Sequence, residues 1–481
     1  MLLLNLHRES GPLYRRIYRA LKSSIHGGRL GPSARLPSTR TLAADLGVSR
    51  NTVMLAYEQL AAEGYVVGRQ RSNTAVAGKL LAGGSKAAKS SEIKSAPRLS
   101  AYAQRLQANA GVPASFSART GLRYDFRYGR PAVDEFPREI WRRLLAARAR
   151  RASRDTLGYA SPAGHAPLRQ ALAEYLNRSR GLACEAEQIV IVNGSQQGID
   201  LVARLLLDPG DSAVVEDPGY PGATIPFEAA GARPVRIAVD AQGLDVSRLP
   251  SAARLAYVTP CHQFPSGVIL PLERRLALLD WAERTDAWVI EDDYVSEFRY
   301  EGSPLEALQA LDRNARVLYV GTFSKTLFPA LRLAYLVLPR ALVRPFLAAK
   351  WAADRFSPML AQEALADFIA SGQFERYLRR AGARNAAKRG TLIAALQQHF
   401  GARVEIAGEN TGVHLMVWLN DVRPRELDSI IARAARDGVG LYSIAPYFAR
   451  PQQRAGLLFG YASLSEGEIR AGIRLLADAV R

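Results

Sequence analysis

The 481-residue sequence predicts a multidomain chain: an N-terminal winged helix-turn-helix, then a large α/β domain with a smaller C-terminal α/β subdomain. Three observations predict it. Two short helical patterns meet at Leu46-Gly-Val-Ser49 and run into a hairpin-like stretch. From about Tyr124 onward, apolar strand-like runs alternate with helical stretches, the pattern of an α/β domain. Between them lies a run rich in Ala, Gly, Ser and Lys. The boundaries expected are 1–78 for the winged unit, 79–119 for a flexible basic linker and 120–481 for the α/β domain, its small subdomain starting at about 345.

Composition sets the class. A hydrophobic content of 48% and a charged content of 23% are globular values, and the length prior gives about two to four domains. No run of eighteen apolar residues marks a membrane span, and Met1–Leu6 is too short for a signal sequence. Two cysteines, Cys184 and Cys261, give no disulfide framework, which fits a reducing cytoplasm. No metal site is expected. The net charge of +19 suggests a polyanionic partner. It is weighted to the N-terminus, where residues 1–78 carry eleven Lys/Arg against four Asp/Glu.

In the N-terminal unit, Leu13, Ile17, Leu21 and Ile25 recur on one helix face, and Gly27, Gly28, Gly31 and Pro32 end that helix. Ser38 is a suitable N-cap for a second helix ending near Gly47. Ser49 caps a third, with Val53, Ala56, Tyr57 and Leu60 on its buried face. Gly64-Tyr-Val-Val, followed by Arg69 to Val76, reads as a wing. The last helix of such a unit enters the major groove and reads base edges with its N-terminal residues, here Ser49, Arg50 and Thr52. Arg35, Ser38 and Arg40 are placed on phosphates, and Arg69 or Arg71 on the flank. The alternative is a small helical protein-interaction module. The linker that follows reads as a basic tether, its lysines serving either solubility or non-specific phosphate attraction.

In the large domain, four strand-like runs end in polar clusters. Ile189–Val192 leads into Asn193-Gly-Ser-Gln-Gln-Gly198, and Ala256-Tyr-Val258 into Thr259-Pro-Cys-His-Gln-Phe-Pro-Ser-Gly267. Trp288-Val-Ile290 leads into Glu291-Asp-Asp-Tyr294, and Val317–Val320 into Gly321-Thr-Phe-Ser-Lys325. Open α/β sheets bind ligands beyond the carboxyl ends of their strands. Gly194, Ser195 and Gln196 open a helix whose free N–H groups suit a phosphate, and Thr322, Ser324 and Arg332 complete an anion site. Asp292, following an apolar strand, needs a cationic partner, and the protonated ring nitrogen of pyridoxal phosphate would be one. Tyr294 is placed to donate to that cofactor's phenolic oxygen and Tyr220 to stack on its ring. Lys325 is the candidate Schiff-base amine.

Two resemblances follow from these residues. R-L-P-S-T-R-T-L-A-A-D-L-G-V-S-R-N-T-V-M-L-A-Y-E-Q-L resembles the winged helix of GntR-type bacterial regulators, although Asn73 stands where such wings often carry glycine. N-G-S-Q-Q-G, L-D-P-G-D, E-D-P-G-Y, H-Q-F-P-S-G, E-D-D-Y-V-S-E-F-R-Y and G-T-F-S-K-T-L resemble fold-type I, aspartate-aminotransferase-like enzymes. The sharper resemblance is to the MocR/GabR group, in which the two units are fused. It implies Lys325 as the pyridoxal phosphate lysine, Asp292 at the ring nitrogen and Arg332 at the phosphate. It also implies a domain-swapped homodimer in which Tyr159 reaches the partner subunit's phosphate site. Aminotransferases carry N-P-T-G where this chain has His262-Gln-Phe-Pro-Ser-Gly, so Gln263 or His262 is a candidate substitute for the asparagine. The arginine that clamps a substrate carboxylate is missing from its usual place. Arg450 and Arg454 are nearby candidates. The function implied is a regulator of operator DNA that senses pyridoxal phosphate or a small amine or amino acid. The alternative is an active aminotransferase with an accessory DNA-binding module.

Overall fold

A computed structural model describes residues 11–69, 73–78, 98–108, 121–302, 305–408 and 411–480. Arg71, most of the expected linker and the tip of the wing lie outside these residues. The chain divides into two compact units, Met1–Arg98 and Leu99–Arg481.

The first unit holds α1 (Leu13–His26), α2 (Thr39–Leu46), α3 (Arg50–Ala62) and the antiparallel pair β1 (Val66–Arg69) and β2 (Asn73–Val76). Ser38 Oγ accepts from Thr41 N–H at 3.1 Å and Ser49 Oγ from Thr52 N–H at 3.2 Å, so both serines cap as their positions suggest. Gly47 turns the chain between the helices at φ 65°, a conformation other residues adopt only with strain. Ile17, Leu21, Ile25, Leu42, Val53, Ala56 and Leu60 form the core. Leu13, expected on that face, is exposed, and Tyr18 is buried in its stead. The Tyr18 hydroxyl donates to Glu63 at 2.7 Å, and Lys22 pairs with Glu63 at 2.8 Å, tying α1 to the end of α3.

The second unit opens with α4 (Ala101–Ala108), inside the stretch expected to be linker. Tyr102 and Arg105 fall one turn apart and give this helix a docking face. The Tyr102 hydroxyl donates to Asp200 at 3.2 Å, and Arg105 Nε donates to the Ala229 carbonyl at 3.0 Å. Next come β3 (Tyr124–Asp125), α5 (Arg138–Arg150), α6 (Arg154–Leu157) and α7 (Ala166–Arg180). The large sheet uses β4 (Ile189–Val192), β5 (Ser212–Asp217), β6 (Arg233–Asp240), β7 (Gly243–Leu244), β8 (Leu255–Val258), β9 (Trp288–Asp293), β10 (Val317–Thr322) and β11 (Ala334–Val337). Their spatial order is β4-β11-β10-β9-β8-β5-β6-β7. Strands β10, β9, β8, β5 and β6 are parallel. Strand β11 runs antiparallel between β10 and β4, which leaves β4 in the common direction. Every residue of β4, β8, β10 and β11 is buried, which is why these strands read as unbroken apolar runs.

The helices of the sheet layers are α8 (Ser195–Leu206), α9 (Pro221–Ala230), α10 (Leu272–Thr285), α11 (Leu308–Leu311), α12 (Arg340–Asp354) and α13 (Met359–Ala370). Helix α14 (Gln373–Phe400) leads to the small subdomain. There β12 (Val404–Ala407), β13 (His414–Leu419) and β15 (Ala455–Gly460) pack with α15 (Pro424–Arg436) and α16 (Glu466–Val480). The short strand β14 (Val439–Gly440) pairs with β3, so Tyr124–Phe126 belongs to this subdomain's core. The subdomain therefore starts later than 345: Phe346 of α12 packs in the large-sheet core, and α13 packs on α5 and α7. Among the described residues no helix is long and apolar enough to cross a membrane.

Candidate cofactor site

The parallel strands all end at one edge of the sheet, and a cavity of about 250 Å³ lies there. Its lining brings together nine of the residues expected from sequence: Ser195, Gln196, Tyr220, Asp292, Tyr294, Thr322, Ser324, Lys325 and Arg332. Lys325 follows β10 and points into the cavity. Its Nζ lies 3.4 Å from the Gly129 carbonyl and 5.1 Å from the centre of the Tyr128 ring. Desolvation lowers its ammonium pKa to about 8, against the opposing pull of Asp292. Asp292 is buried at the end of β9. It accepts from the Tyr257 hydroxyl at 2.5 Å through one oxygen, and its other oxygen, Oδ1, has no partner. Burial raises this carboxyl to about 6, while the Tyr257 hydrogen bond works in the other direction.

At the opposite end, the N-terminus of α8 and Arg332 form an anion cradle. Arg332 Nη2 donates to the Asn193 carbonyl at 2.6 Å. A β-carbon on Gly194, whose φ is 96°, would come within 2.8 Å of that guanidinium, so only glycine permits the approach. Gln196 Nε2 donates to the Gly222 carbonyl at 2.6 Å, and the Tyr220 hydroxyl donates to Gln196 Oε1 at 3.3 Å. Ser324 N–H donates to Thr322 Oγ1 at 3.2 Å.

The candidate substitutes for the asparagine and for the carboxylate clamp are corrected. Gln263 and His262 do not reach the cavity. Gln263 is consumed by Glu216, Pro218, Phe264 and Ser266, and His262 faces Thr411 and His414. Phe264 lines the wall in their place, its peptide bond to Pro265 being cis. The Tyr294 hydroxyl donates to the His262 carbonyl at 3.0 Å. Arg454 pairs with Glu405 at 2.6 Å and donates to Asn420 at 2.9 Å, and Arg450 is exposed; neither lines the cavity. Tyr159 is 83% exposed, outside its own chain's cavity, with Arg355 stacked on its ring. Sequence reasoning missed Tyr128, Tyr257, Thr259, Phe264 and Pro329.

In the first unit, Arg35, Ser38, Arg40, Ser49 and Arg50 are exposed, and Thr52 is half-buried. The Ser38 and Ser49 hydroxyls are occupied in capping, each also paired to the Thr41 or Thr52 hydroxyl. Arg50 Nε donates to the Thr39 hydroxyl at 3.4 Å. Arg69 closes β1 opposite Asn73, which sits in register in β2.

Comparison with known proteins decides the family. The Aminotransferase class I and II profile matches residues 132–455, and that of Bacterial regulatory proteins, gntR family, matches residues 13–76. "Probable rhizopine catabolism regulatory protein MocR" of Rhizobium meliloti is 39% identical over 97% of this chain and 94% of its own. The chain belongs to the MocR/GabR group of GntR regulators. "HTH-type transcriptional regulator TauR" of Rhodobacter capsulatus is 33% identical, covering 98% and 97% of the two chains. Among solved structures, LysN, an alpha-aminoadipate aminotransferase of Thermus thermophilus complexed with N-(5'-phosphopyridoxyl)-L-leucine, superposes with a TM-score of 0.71. It is 28% identical and covers 79% of this chain and 97% of its own.

Pyridoxal phosphate is the cofactor of this fold, and the cavity fits it. The buried, unpartnered Asp292 Oδ1 suits a protonated ring nitrogen, the α8 cradle suits the phosphate, and Lys325 suits the aldehyde.

Proposed function

We infer that the protein is a transcriptional regulator that binds operator DNA through its winged helix and uses pyridoxal phosphate, held at Lys325, to sense the cofactor itself or a small amine or amino acid. The observation that carries this reading is the presence in one chain of both a cavity that fits the cofactor and a Ser49-capped helix that begins with an exposed arginine. In this reading Asp292 holds the ring nitrogen and Tyr220 covers one ring face. Tyr294 turns its hydroxyl from the His262 carbonyl to the cofactor's phenolic oxygen. Ser195, Gln196, Thr322, Ser324 and Arg332 hold the phosphate. The protein acts as a domain-swapped homodimer in the cytoplasm. The exposed Leu157, Tyr159 and Trp351 form part of the buried interface, and Tyr159 serves the partner's site.

Helix α4 supports a route for the signal. It clamps Asp200 of α8 and the Ala229 carbonyl of α9, the two helices whose N-termini carry Ser195, Gln196 and Tyr220. A ligand that shifts these helices acts on the segment leading back to the winged unit, provided it binds two arrangements with different affinity.

The second reading, an active aminotransferase, is favoured by the depressed Lys325 pKa, which suits a general base. Against it, Arg332 is the arginine among the described residues that line the cavity, and it faces the phosphate cradle, while Arg454 is tied to Glu405 and Asn420. Turnover with a panel of amino acids and keto acids separates the two. The regulator reading expects rates far below the ~1–10³ s⁻¹ usual for enzymes, and brisk multiple turnover would reverse the preference.

A further inference from the structure

Behind the phosphate cradle lies a charge pair that the proposed function does not use. The Lys350 side chain, on α12, is wholly buried, which is rare for lysine. Its Nζ donates to the two oxygens of Asp354 at 2.8 and 3.0 Å and to Ser357 Oγ at 3.3 Å. Asp354 is the last residue of α12, where a carboxylate opposes the helix dipole. Both residues break local rules, and such breaks are expected where function requires them.

What the pair supports is on its other side. Asp354 Oδ2 accepts from Asn193 Nδ2 at 2.6 Å and from Gln197 Nε2 at 2.8 Å. Gln197 Oε1 accepts from the Asn193 N–H at 2.8 Å, and Arg332 donates to the Asn193 carbonyl at 2.6 Å. Asn193 is thus fixed through its side chain, its N–H and its carbonyl together. Gly194 caps α8 and Ser195 and Gln196 begin it, so the orientation of Asn193 sets where their N–H groups point.

We propose that Lys350 and Asp354 are positioning residues for the cofactor's phosphate. Asp354 locks Asn193 and Gln197 so that the α8 N-terminus and Arg332 present a preformed anion cradle. Lys350 neutralises Asp354, so that the locking carboxylate does not repel the phosphate. A preformed cradle binds more tightly because less order is lost on binding. The proposal rests on pyridoxal phosphate being the ligand of this cavity.

The test compares pyridoxal phosphate with pyridoxal, which has the same aldehyde and ring but no phosphate. Dissociation constants come from visible absorbance titrations of the full-length protein. The paired change Lys350→Met with Asp354→Leu removes both charges and keeps the volume filled, a replacement that buried ion pairs often tolerate. It is expected to weaken pyridoxal phosphate by about tenfold or more, the scale on which supporting partners act, with pyridoxal changed by less than about twofold. Gln197→Leu, which breaks the same lock without touching the charges, is expected to move the two constants in the same pattern if the paired variant does not fold. Unchanged pyridoxal phosphate affinity, or equal loss for both aldehydes, overturns the proposal. A parent protein that binds neither aldehyde overturns the cofactor reading and the proposal with it.

Discussion

Lys325→Ala is expected to abolish retention of pyridoxal phosphate through gel filtration and to remove the visible absorbance of the bound cofactor, while the protein stays folded and still binds DNA. The side chain faces a cavity and donates weakly, at 3.4 Å, to one carbonyl, so its loss removes little packing. Its chemistry is what disappears. Only a neutral amine attacks an aldehyde, and burial has lowered this ammonium from 10.5 to about 8. In the parent protein the rate of cofactor capture should therefore rise with pH and level off above about 8. An ordinary lysine would still be climbing at pH 10. A pH profile with no bend near 8, or a Lys325→Ala protein that keeps its visible band, would remove Lys325 from the site.

Arg50→Ala is expected to weaken operator binding by ~1–3 kcal/mol, or about 5- to 150-fold, if the arginine reads a base. Arg50 is the first residue of α3 and is exposed, its Nε donating to the Thr39 hydroxyl at 3.4 Å. The melting temperature should not move, and neither should cofactor affinity. Ser49→Ala is the informative contrast. Its hydroxyl caps α3, so this change should cost about 1 kcal/mol of stability as well as any DNA contact. Footprinting on DNA upstream of its own gene reads both. Unchanged binding by Arg50→Ala would reject the recognition-helix assignment.

Much of the site was legible because of where its residues sit. Parallel strands buried on both faces leave apolar runs in the sequence, and Asn193, Asp292 and Thr322–Lys325 stand out where those runs stop. The caps at Ser38 and Ser49 were legible for a similar reason, since capping is a local rule. Tyr257 was hidden by the same logic, because a tyrosine within an apolar strand reads as core. Only the pairing of β8 with β9 brings its hydroxyl to Asp292. Phe264 is hard to read from sequence because its polar neighbours are the better chemical match for asparagine, whereas Gln263 and His262 are spent on loop contacts. The boundary near 345 failed because α12 and α13 carry no change of composition; which sheet they cover is a tertiary fact. Helix α4 shows in the sequence only as a short apolar periodicity around Tyr102–Leu106, set among small, polar residues that read as a tether. Lys350 and Asp354, four apart on a helix, look like an ordinary solvated pair, and their partner Asn193 is 161 residues away from Asp354.

In the proposed regulator, one ligand event at Lys325 changes DNA binding. The most direct measurement is operator affinity of the cofactor-loaded protein, titrated with a panel of small amines and amino acids and repeated with Lys325→Ala. At least one amine is expected to shift the affinity of the parent by about 5- to 150-fold, the usual range of coupling between sites, and Lys325→Ala is expected not to respond. An operator affinity indifferent to cofactor and to every amine, or a Lys325→Ala protein that responds as the parent does, would contradict it.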